Sequence, residues 1–325
     1  MSPMLHTALF LLTGTQAYRA FELCGELQQS IAPPPANISS ALARTLVLVV
    51  SGGEMHQRRV RPLACTWARR LPRWAVVSDE CVEGLASVRT KSPAEWWAEA
   101  TGLEDAPPPS LRGRGYGAAQ TRWAVGLQYA ALVTSTPLAV PVDTFVFSDD
   151  DGFVSTRGLA LLRPPQSGFL AYLCYRNRKF KDDVEVDVPC GGGGWAFSAT
   201  SVARVGPKAP GCFFHVGRGL PTNRHQNSHV LAYCLARDYD VRGTHEDRLC
   251  PDGAIEDCSE DPAIVHLPKR LFRKRPGVGF TLYLGCLLAA TDAGRSNWQR
   301  LPVRLDSKQC VPCHAPTRAA GSMAL

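Results

Sequence analysis

Short apolar runs alternate with longer helical patterns through the first half of the chain. Three runs read as strands that stop abruptly at polar residues: Thr45–Gly53, Trp74–Glu80 and Phe145–Asp149. Continuous apolar, β-branched runs of this kind are typical of buried parallel strands. The segments Arg58–Leu71, with Pro62 in its first turn, and Tyr116–Val133 have the pattern of helices. This alternation predicts an α/β fold with a doubly wound sheet.

The third strand ends in three consecutive carboxylates, Asp149, Asp150 and Asp151. Like charges side by side repel one another, so a solvated turn, a helix cap or a bound cation should accompany them. Ligands of doubly wound sheets bind beyond the carboxyl ends of the strands. Carboxylate oxygens suit Mg²⁺ or Mn²⁺, and such ions often bind substrate phosphates as well. The sequence therefore predicts a cation and nucleotide site here, with a solvated acidic turn as the alternative.

Four consecutive glycines, Gly191–Gly194, follow about forty residues later in the segment VPCGGGGWAFS. Glycine allows close approach of the backbone to a ligand and positive φ angles. The flanking Cys190 and Trp195 favour a packed turn over a flexible linker. No Gly-Lys-Ser/Thr follows, so the segment is not a phosphate loop of the P-loop type.

Composition and charge exclude few classes of protein function. The chain has 325 residues, 45% of them hydrophobic, which is enough for a buried core. The net charge of +7 is a mild excess, and the basic cluster 267–277 reads as a solvated loop or a membrane-proximal charge run. No motif would present these charges to a nucleic-acid groove, so no nucleic-acid partner is expected.

Twelve cysteines favour an oxidising compartment, although a cytosolic enzyme can carry as many. Cys250 and Cys258 could close a short disulfide loop. The close pair Cys310 and Cys313 lacks the second pair that a zinc site would require. Asn37 is in a glycosylation sequon within a Pro-rich segment that reads as exposed, which would suit a secreted glycoprotein.

Three parts are expected along the chain. Residues 1–44 read as a segment like a signal or membrane anchor followed by a linker, although the apolar run lacks a preceding basic residue and is too short to span a membrane. Residues 45–290 form a single main domain, in which the apolar run 278–290 is a core strand or helix. Residues 291–325 form a tail with little periodic pattern.

The order of these motifs resembles the fringe-like and β1,3-galactosyltransferase group, inverting glycosyltransferases of the GT-A fold. The resemblance covers about residues 45–270. It rests on the Asp-Asp-Asp strand end, the glycine turn before Trp195, a basic helix ending in Thr-Trp at Trp67, and a late strand with His266. It implies a nucleotide-binding, Rossmann-like mixed sheet flanked by helices, and a hexosyltransferase of the Golgi lumen.

The resemblance also implies the chemistry. A hexose or N-acetylhexosamine would move from a UDP-sugar to a hydroxyl of a glycan or glycoprotein, in a β1,3 linkage and with Mn²⁺ or Mg²⁺ as cofactor. It makes Asp151 and His266 the metal ligands. The donor-binding residues that it implies are Arg59, Asp79, Arg122, Asp149, Asp150, Gly192, Gly193, Gly194 and Trp195.

One feature departs from the family pattern. The family usually has an acidic pair that opens a helix and supplies the general base, but Asn227 and Ser228 stand at that place. His229 or His225 could serve instead, because imidazole titrates near neutral pH; the alternative is that both are surface or helix-capping residues. The competing function is a catalytically impaired relative that binds a UDP-sugar or carbohydrate. A secreted domain with a calcium-binding turn would explain neither the glycines nor the strand order.

Overall fold

A computed structural model describes residues 19–24, 39–91, 95, 116–180, 183–212, 227–251, 257–267 and 284. The strands are β1 (Phe21–Leu23), β2 (Thr45–Val50), β3 (Trp74–Ser78), β4 (Ser87–Thr90), β5 (Thr144–Asp149), β6 (Gly152–Val154), β7 (Gly168–Ala171), β8 (Leu173–Lys179), β9 (Glu185–Pro189), β10 (Trp195–Ser198), β11 (Arg242–His245), β12 (Leu249–Cys250) and β13 (Ile264–His266). The α-helices are α1 (Ser40–Ala43), α2 (Arg61–Cys65), α3 (Tyr116–Ser135), α4 (Thr156–Leu159), α5 (Ala199–Val205) and α6 (Asn227–Tyr239).

The main sheet has eight strands in the order β1-β4-β3-β2-β5-β10-β7-β11. Strands β4, β3, β2 and β5 are parallel, whereas β10 runs antiparallel to both β5 and β7. The chain moves outward from β2 to β4 and then returns to place β5 on the other side of β2. The carboxyl ends of β2 and β5 are therefore adjacent at a switch point, with Val50 paired to Asp149. The predicted mixed α/β sheet flanked by helices is confirmed.

Alternating residues of the central strands pack into two hydrophobic cores, one on each face of the sheet. Leu48 of β2 and Phe147 of β5 face helices α3, α5 and α6. Val49 and Val146 face the other way, toward α2 and the small sheet β12-β13-β6. Leu284, from the run predicted to be a core strand or helix, is helical and fully buried in this second core.

The helix predicted over Arg58–Leu71 is interrupted, and the single long helix expected there was wrong. A 3₁₀ turn (Gly53–Met55) leads into a π-helical turn (His56–Val60), then α2, and then a 3₁₀ turn at Ala68–Arg70. Pro62 lies in the first turn of α2, as predicted. The helix ends because Thr66 leaves helical geometry and its hydroxyl donates to the Pro62 carbonyl at 2.7 Å.

Residues 20–24 lie within the segment predicted to be signal, anchor or linker, and they extend the sheet. Strand β1 pairs antiparallel with β4, and Phe21 packs edge-on against Tyr129 of α3. Cys24 forms a disulfide with Cys81, in the loop that follows β3. These residues therefore belong structurally to the main domain.

The structure contains the disulfides Cys24–Cys81, Cys174–Cys190, Cys212–Cys234 and Cys250–Cys258, the last of which confirms the predicted short loop. Cys65 is disulfide-bonded as well, and none of the described cysteines is a free thiol. Multiple disulfides indicate an extracellular or secretory-pathway protein. Among the described helices, none combines the length and apolar character that a membrane span needs. Asn37, the basic cluster beyond Leu267, the close cysteine pair and the tail lie outside the described residues.

Candidate functional site

The triple aspartate sits at the turn between β5 and β6, where a second strand brings His266 beside it. Strand β13 runs antiparallel to β6 and pairs His266 with Gly152, while the Leu267 N–H donates to the Asp151 carbonyl at 3.0 Å. Gly152 has no room for a side chain, because a Cβ there would collide with the Ser148 hydroxyl. The pairing of the two strands therefore fixes the histidine against the aspartates.

Three side chains form a cluster that could hold a metal ion. One ligand atom each from Asp149, Asp151 and His266 lies within 4.8 Å of the others. His266 Nε2 is 2.9 Å from Asp151 Oδ1, and only 3% of Asp151 is exposed. Asp151 and His266 are the ligands that the sequence implied. Asp149, which the resemblance assigned to the donor, joins them.

Asp150 has Ser51 as a partner and shares Arg59 with Asp151. Its Oδ2 accepts a hydrogen bond from Ser51 Oγ at 2.6 Å, and its Oδ1 accepts one from Arg59 Nη1 at 2.5 Å. The same Arg59 nitrogen is 3.0 Å from Asp151 Oδ2. Arg59, implied as a nucleotide ligand, thus contacts the aspartates. Ser51 was not predicted individually; its position at the end of the first strand was the available signal.

The electrostatics of the cluster favour a cation. Burial, followed by the negative charge of Asp151, raises the pKa of Asp149 to about 7. The same two causes raise the pKa of Asp150, against the opposing charge of Arg59. A divalent ion would offset this repulsion, and two carboxylates with an imidazole are a donor set that Mn²⁺ or Mg²⁺ accepts. The residues present therefore fit the predicted cofactor.

The glycine turn packs against the cluster. Gly192 has φ of 84°, and a Cβ at this position would lie 2.5 Å from the His266 ring. A Cβ at Gly193 would lie 2.7 Å from the Leu249 carbonyl oxygen. Gly194 also has a positive φ and faces the Ile264 side chain. Only glycines allow this approach, and the turn is packed, as the sequence predicts.

Trp195, which follows the turn, belongs to the core. Its side chain is 3% exposed and stacks on Phe169 at a centroid distance of 4.7 Å. It also contacts Trp123 of α3, whose ring stacks on Phe147. Trp195 therefore supports the turn from beneath.

Asp79 and Arg122 form a second polar group at the end of β3, the strand next to β2. Asp79 Oδ2 accepts a hydrogen bond from Arg122 Nη2 at 2.9 Å, and Oδ1 accepts one from the Gly53 N–H at 2.7 Å. Burial alone would raise the pKa of Asp79, but the charge of Arg122 and the Gly53 N–H outweigh it and lower that pKa. The Arg122 Nε is buried and has no hydrogen-bond partner among the described residues.

His56 completes this second group and was not predicted. Its Nε2 is 2.7 Å from Ser78 Oγ, which in turn donates to Asp79 Oδ1 at 3.1 Å. Burial, opposed by the nearby acidic side chains, lowers the pKa of His56. The group thus holds Asp79 ionised beside a neutral histidine.

The two histidines implied as general bases are placed only in part. His225 lies outside the described residues, and His229 lies in the first turn of α6. Helix α6 begins at Asn227 and leads into β11, which starts at the sheet end opposite the aspartates. Helix α6 packs on the face of the sheet that carries Leu48 and Phe147.

No family model matches the chain, and a search of curated proteins finds no match.

Proposed function

We propose that the protein is a metal-dependent inverting glycosyltransferase with a GT-A fold, related to the fringe-like and β1,3-galactosyltransferase group. It would transfer a hexose or N-acetylhexosamine from a UDP-sugar to a hydroxyl of a glycan or glycoprotein in the Golgi lumen. The observation that carries the proposal is the Asp149, Asp151 and His266 cluster at the switch point between β2 and β5. Nucleotides bind at such switch points in doubly wound sheets.

The strand order supports a nucleotide site. Counted from β2, the parallel strands β4-β3-β2-β5 have the order 3-2-1-4, as in the first part of a dinucleotide-binding sheet. The resemblance in sequence adds the sugar-nucleotide specificity. It also explains why the aspartates, the glycine turn and the late histidine occur together in one chain.

Each group has a proposed task. Asp149, Asp151 and His266 would hold Mn²⁺ or Mg²⁺, which neutralises charge on a leaving diphosphate. Asp79 and Arg122 would bind the nucleoside, with the buried Arg122 Nε as a hydrogen-bond donor. The backbone of Gly192–Gly194 would form the floor beneath the sugar.

An acceptor hydroxyl must lose its proton during the transfer. His229, in the first turn of α6, or His225 before it would take that proton. Imidazole suits the task because its ordinary pKa is close to neutral.

A second candidate function is a UDP-sugar or carbohydrate-binding protein without turnover. The observation in its favour is that α6 opens with Asn227 and Ser228, neither of which can act as a carboxylate base. Donor and metal binding would survive in such a protein, since the residues proposed for them are present.

A UDP-sugar hydrolysis screen with and without Mn²⁺ tests both candidates, because hydrolysis requires no knowledge of the acceptor. Mn²⁺-dependent hydrolysis that is lost in Asp151→Ala supports the transferase. Mn²⁺-dependent UDP binding without hydrolysis supports the binding protein. If Mn²⁺ changes neither hydrolysis nor UDP binding, both are rejected.

A further inference from the structure

The two carboxylate oxygens of Asp151 have different surroundings. Oδ1 is 2.9 Å from His266 Nε2 and belongs to the candidate metal cluster. Oδ2 accepts a hydrogen bond from Arg59 Nη1 at 3.0 Å. One oxygen therefore faces the site of the cation, while a positive charge of the protein itself holds the other.

Arg59 is held in this place from several sides. Its Nη1 donates to Asp150 Oδ1 at 2.5 Å, and Ser51 fixes the second oxygen of Asp150. The backbone of Arg59 belongs to the π-helical turn before α2, where the neighbouring Val60 is fully buried. Such turns are rare in proteins, but those that do occur are often found at functional sites. The guanidinium is therefore a fixed part of the site, with 28% of its side chain exposed.

We infer that Arg59 sets the metal selectivity of the site by restricting Asp151 to coordination through Oδ1. Ca²⁺ takes six to eight oxygen ligands and often uses both oxygens of a carboxylate, whereas Mg²⁺ requires a near-octahedral set of about six. A carboxylate with one committed oxygen therefore favours Mn²⁺ or Mg²⁺ over Ca²⁺. The inference rests on the proposed metal site and not on sugar transfer.

A simpler role for Arg59 makes a different prediction. If the guanidinium only compensates charge, its removal strengthens the binding of every divalent cation to a similar extent. If it occupies Oδ2, its removal strengthens Ca²⁺ binding more than Mn²⁺ binding. The ratio of the two dissociation constants separates these roles.

The experiment titrates Mn²⁺ and Ca²⁺ separately into the full chain by calorimetry, without nucleotide. In Arg59→Gln, the affinity for Ca²⁺ relative to Mn²⁺ should rise by about tenfold. The double variant Arg59→Gln, Asp150→Asn keeps the net charge of the wild type and should retain that rise. Arg44→Gln is the matched control, because Arg44 pairs with Asp143 at the opposite end of β2 and β5; its ratio should equal that of the wild type.

Several results would overturn the inference. These are an unchanged ratio in Arg59→Gln, a return to the wild-type ratio in the double variant, and a wild-type chain that binds no divalent cation. Arg59→Met covers a failure of Arg59→Gln to fold, since methionine keeps an unbranched apolar stem but donates no hydrogen bond to Asp151 Oδ2, and its ratio should also shift toward Ca²⁺. A shifted ratio in a protein that hydrolyses no UDP-sugar upholds the inference while the transferase proposal fails.

Discussion

Asp150 accepts a hydrogen bond from the Ser51 hydroxyl at 2.6 Å and so joins the carboxyl ends of β5 and β2. Asp150 lies in the turn after β5, and its carboxylate binds Ser51 and Arg59, whereas Asp149 and Asp151 belong to the candidate metal cluster. The middle carboxylate therefore links two strands, while the outer two face His266. Three identical residues in a row have two different tasks.

Ser51→Ala tests this link. The substitution leaves a buried carboxylate oxygen of Asp150 without its donor, so the free energy of unfolding should fall by about 1–3 kcal/mol. Urea denaturation measures the change. Ser135→Ala removes a comparable hydroxyl that donates to the Leu132 carbonyl on the exposed part of α3, and it should change little. Equal stability of the two variants would contradict the structural role of Asp150.

Metal binding should stabilise the folded protein. Mn²⁺ at about 100 times its dissociation constant should add about 2.7 kcal/mol, because it binds the folded chain preferentially. Thermal denaturation with and without Mn²⁺ measures this shift. Asp151→Ala and His266→Ala should each abolish it, whereas Asp143→Ala, at the other end of β5, should retain it. A full shift in both cluster variants would place the ion elsewhere.

The glycine turn offers a matched pair of substitutions. Gly192→Ala places a methyl group 2.5 Å from the His266 ring and forces a positive φ, so it should cost about 1–3 kcal/mol and weaken Mn²⁺ binding. Gly191→Ala meets nothing within 4 Å and should be nearly neutral. Urea denaturation and calorimetry measure the two effects. Similar results for both variants would show that the turn does not support His266.

The lowered pKa of Asp79 predicts a pH-dependent contribution to stability. A carboxylate whose pKa is lower in the folded protein stabilises it above the unfolded value of about 3.9. That contribution is lost as the pH falls through the folded pKa. The melting temperature of Asp79→Asn should therefore lie below that of the wild type at pH 7, and the gap should narrow as the pH falls below the unfolded value of about 3.9. A gap that stays constant across this range would rule out the ionic contribution.

The proposed base predicts a kinetic signature. His229→Ala should reduce turnover by roughly 10²- to 10⁴-fold while UDP affinity stays level. Activity of the wild type should fall below a pH of about 6.5 as the imidazole becomes protonated. Restoration of the acidic pair with Asn227→Asp and Ser228→Asp should raise activity if the site is a catalytically impaired form of the family's active site. Turnover that none of the three substitutions changes would reject the histidine base. A wild-type protein that binds UDP without turnover, and gains none from the restored acids, would favour the binding protein.

The sequence predicts the central strands well because buried parallel strands are continuous apolar runs. Thr45–Val50 and Trp74–Ser78 agree with the predicted runs except at their polar ends. The triple aspartate could be predicted as a site because charges at a strand end have few structural reasons to be adjacent. Its division of tasks could not, since the partners of Asp150 are 91 and 99 residues away in the chain.

Other features lacked a local signal. The packed turn at Trp195 could be predicted, but its partners could not, because Phe169 and Trp123 belong to other elements. The helix predicted from Arg58 includes only the last three residues of the π-helical turn His56–Val60, and its i→i+5 hydrogen bonds leave no short residue pattern by which to predict them. His56 could not be predicted as a site residue, because its partner Ser78 belongs to a different element, strand β3.

Strand β1 and the Cys24–Cys81 disulfide cover one edge of the parallel part of the main sheet. Strand β1 covers the outer side of β4, so the backbone of β4 is already paired. A truncated chain that started at residue 45 would present β4 as an open edge, which is a template for pairing with another molecule. The same truncation would release the thiol of Cys81, two residues from Asp79. The short N-terminal strand, held by its disulfide, thus protects the edge of β4 against aggregation next to the nucleotide pocket proposed above.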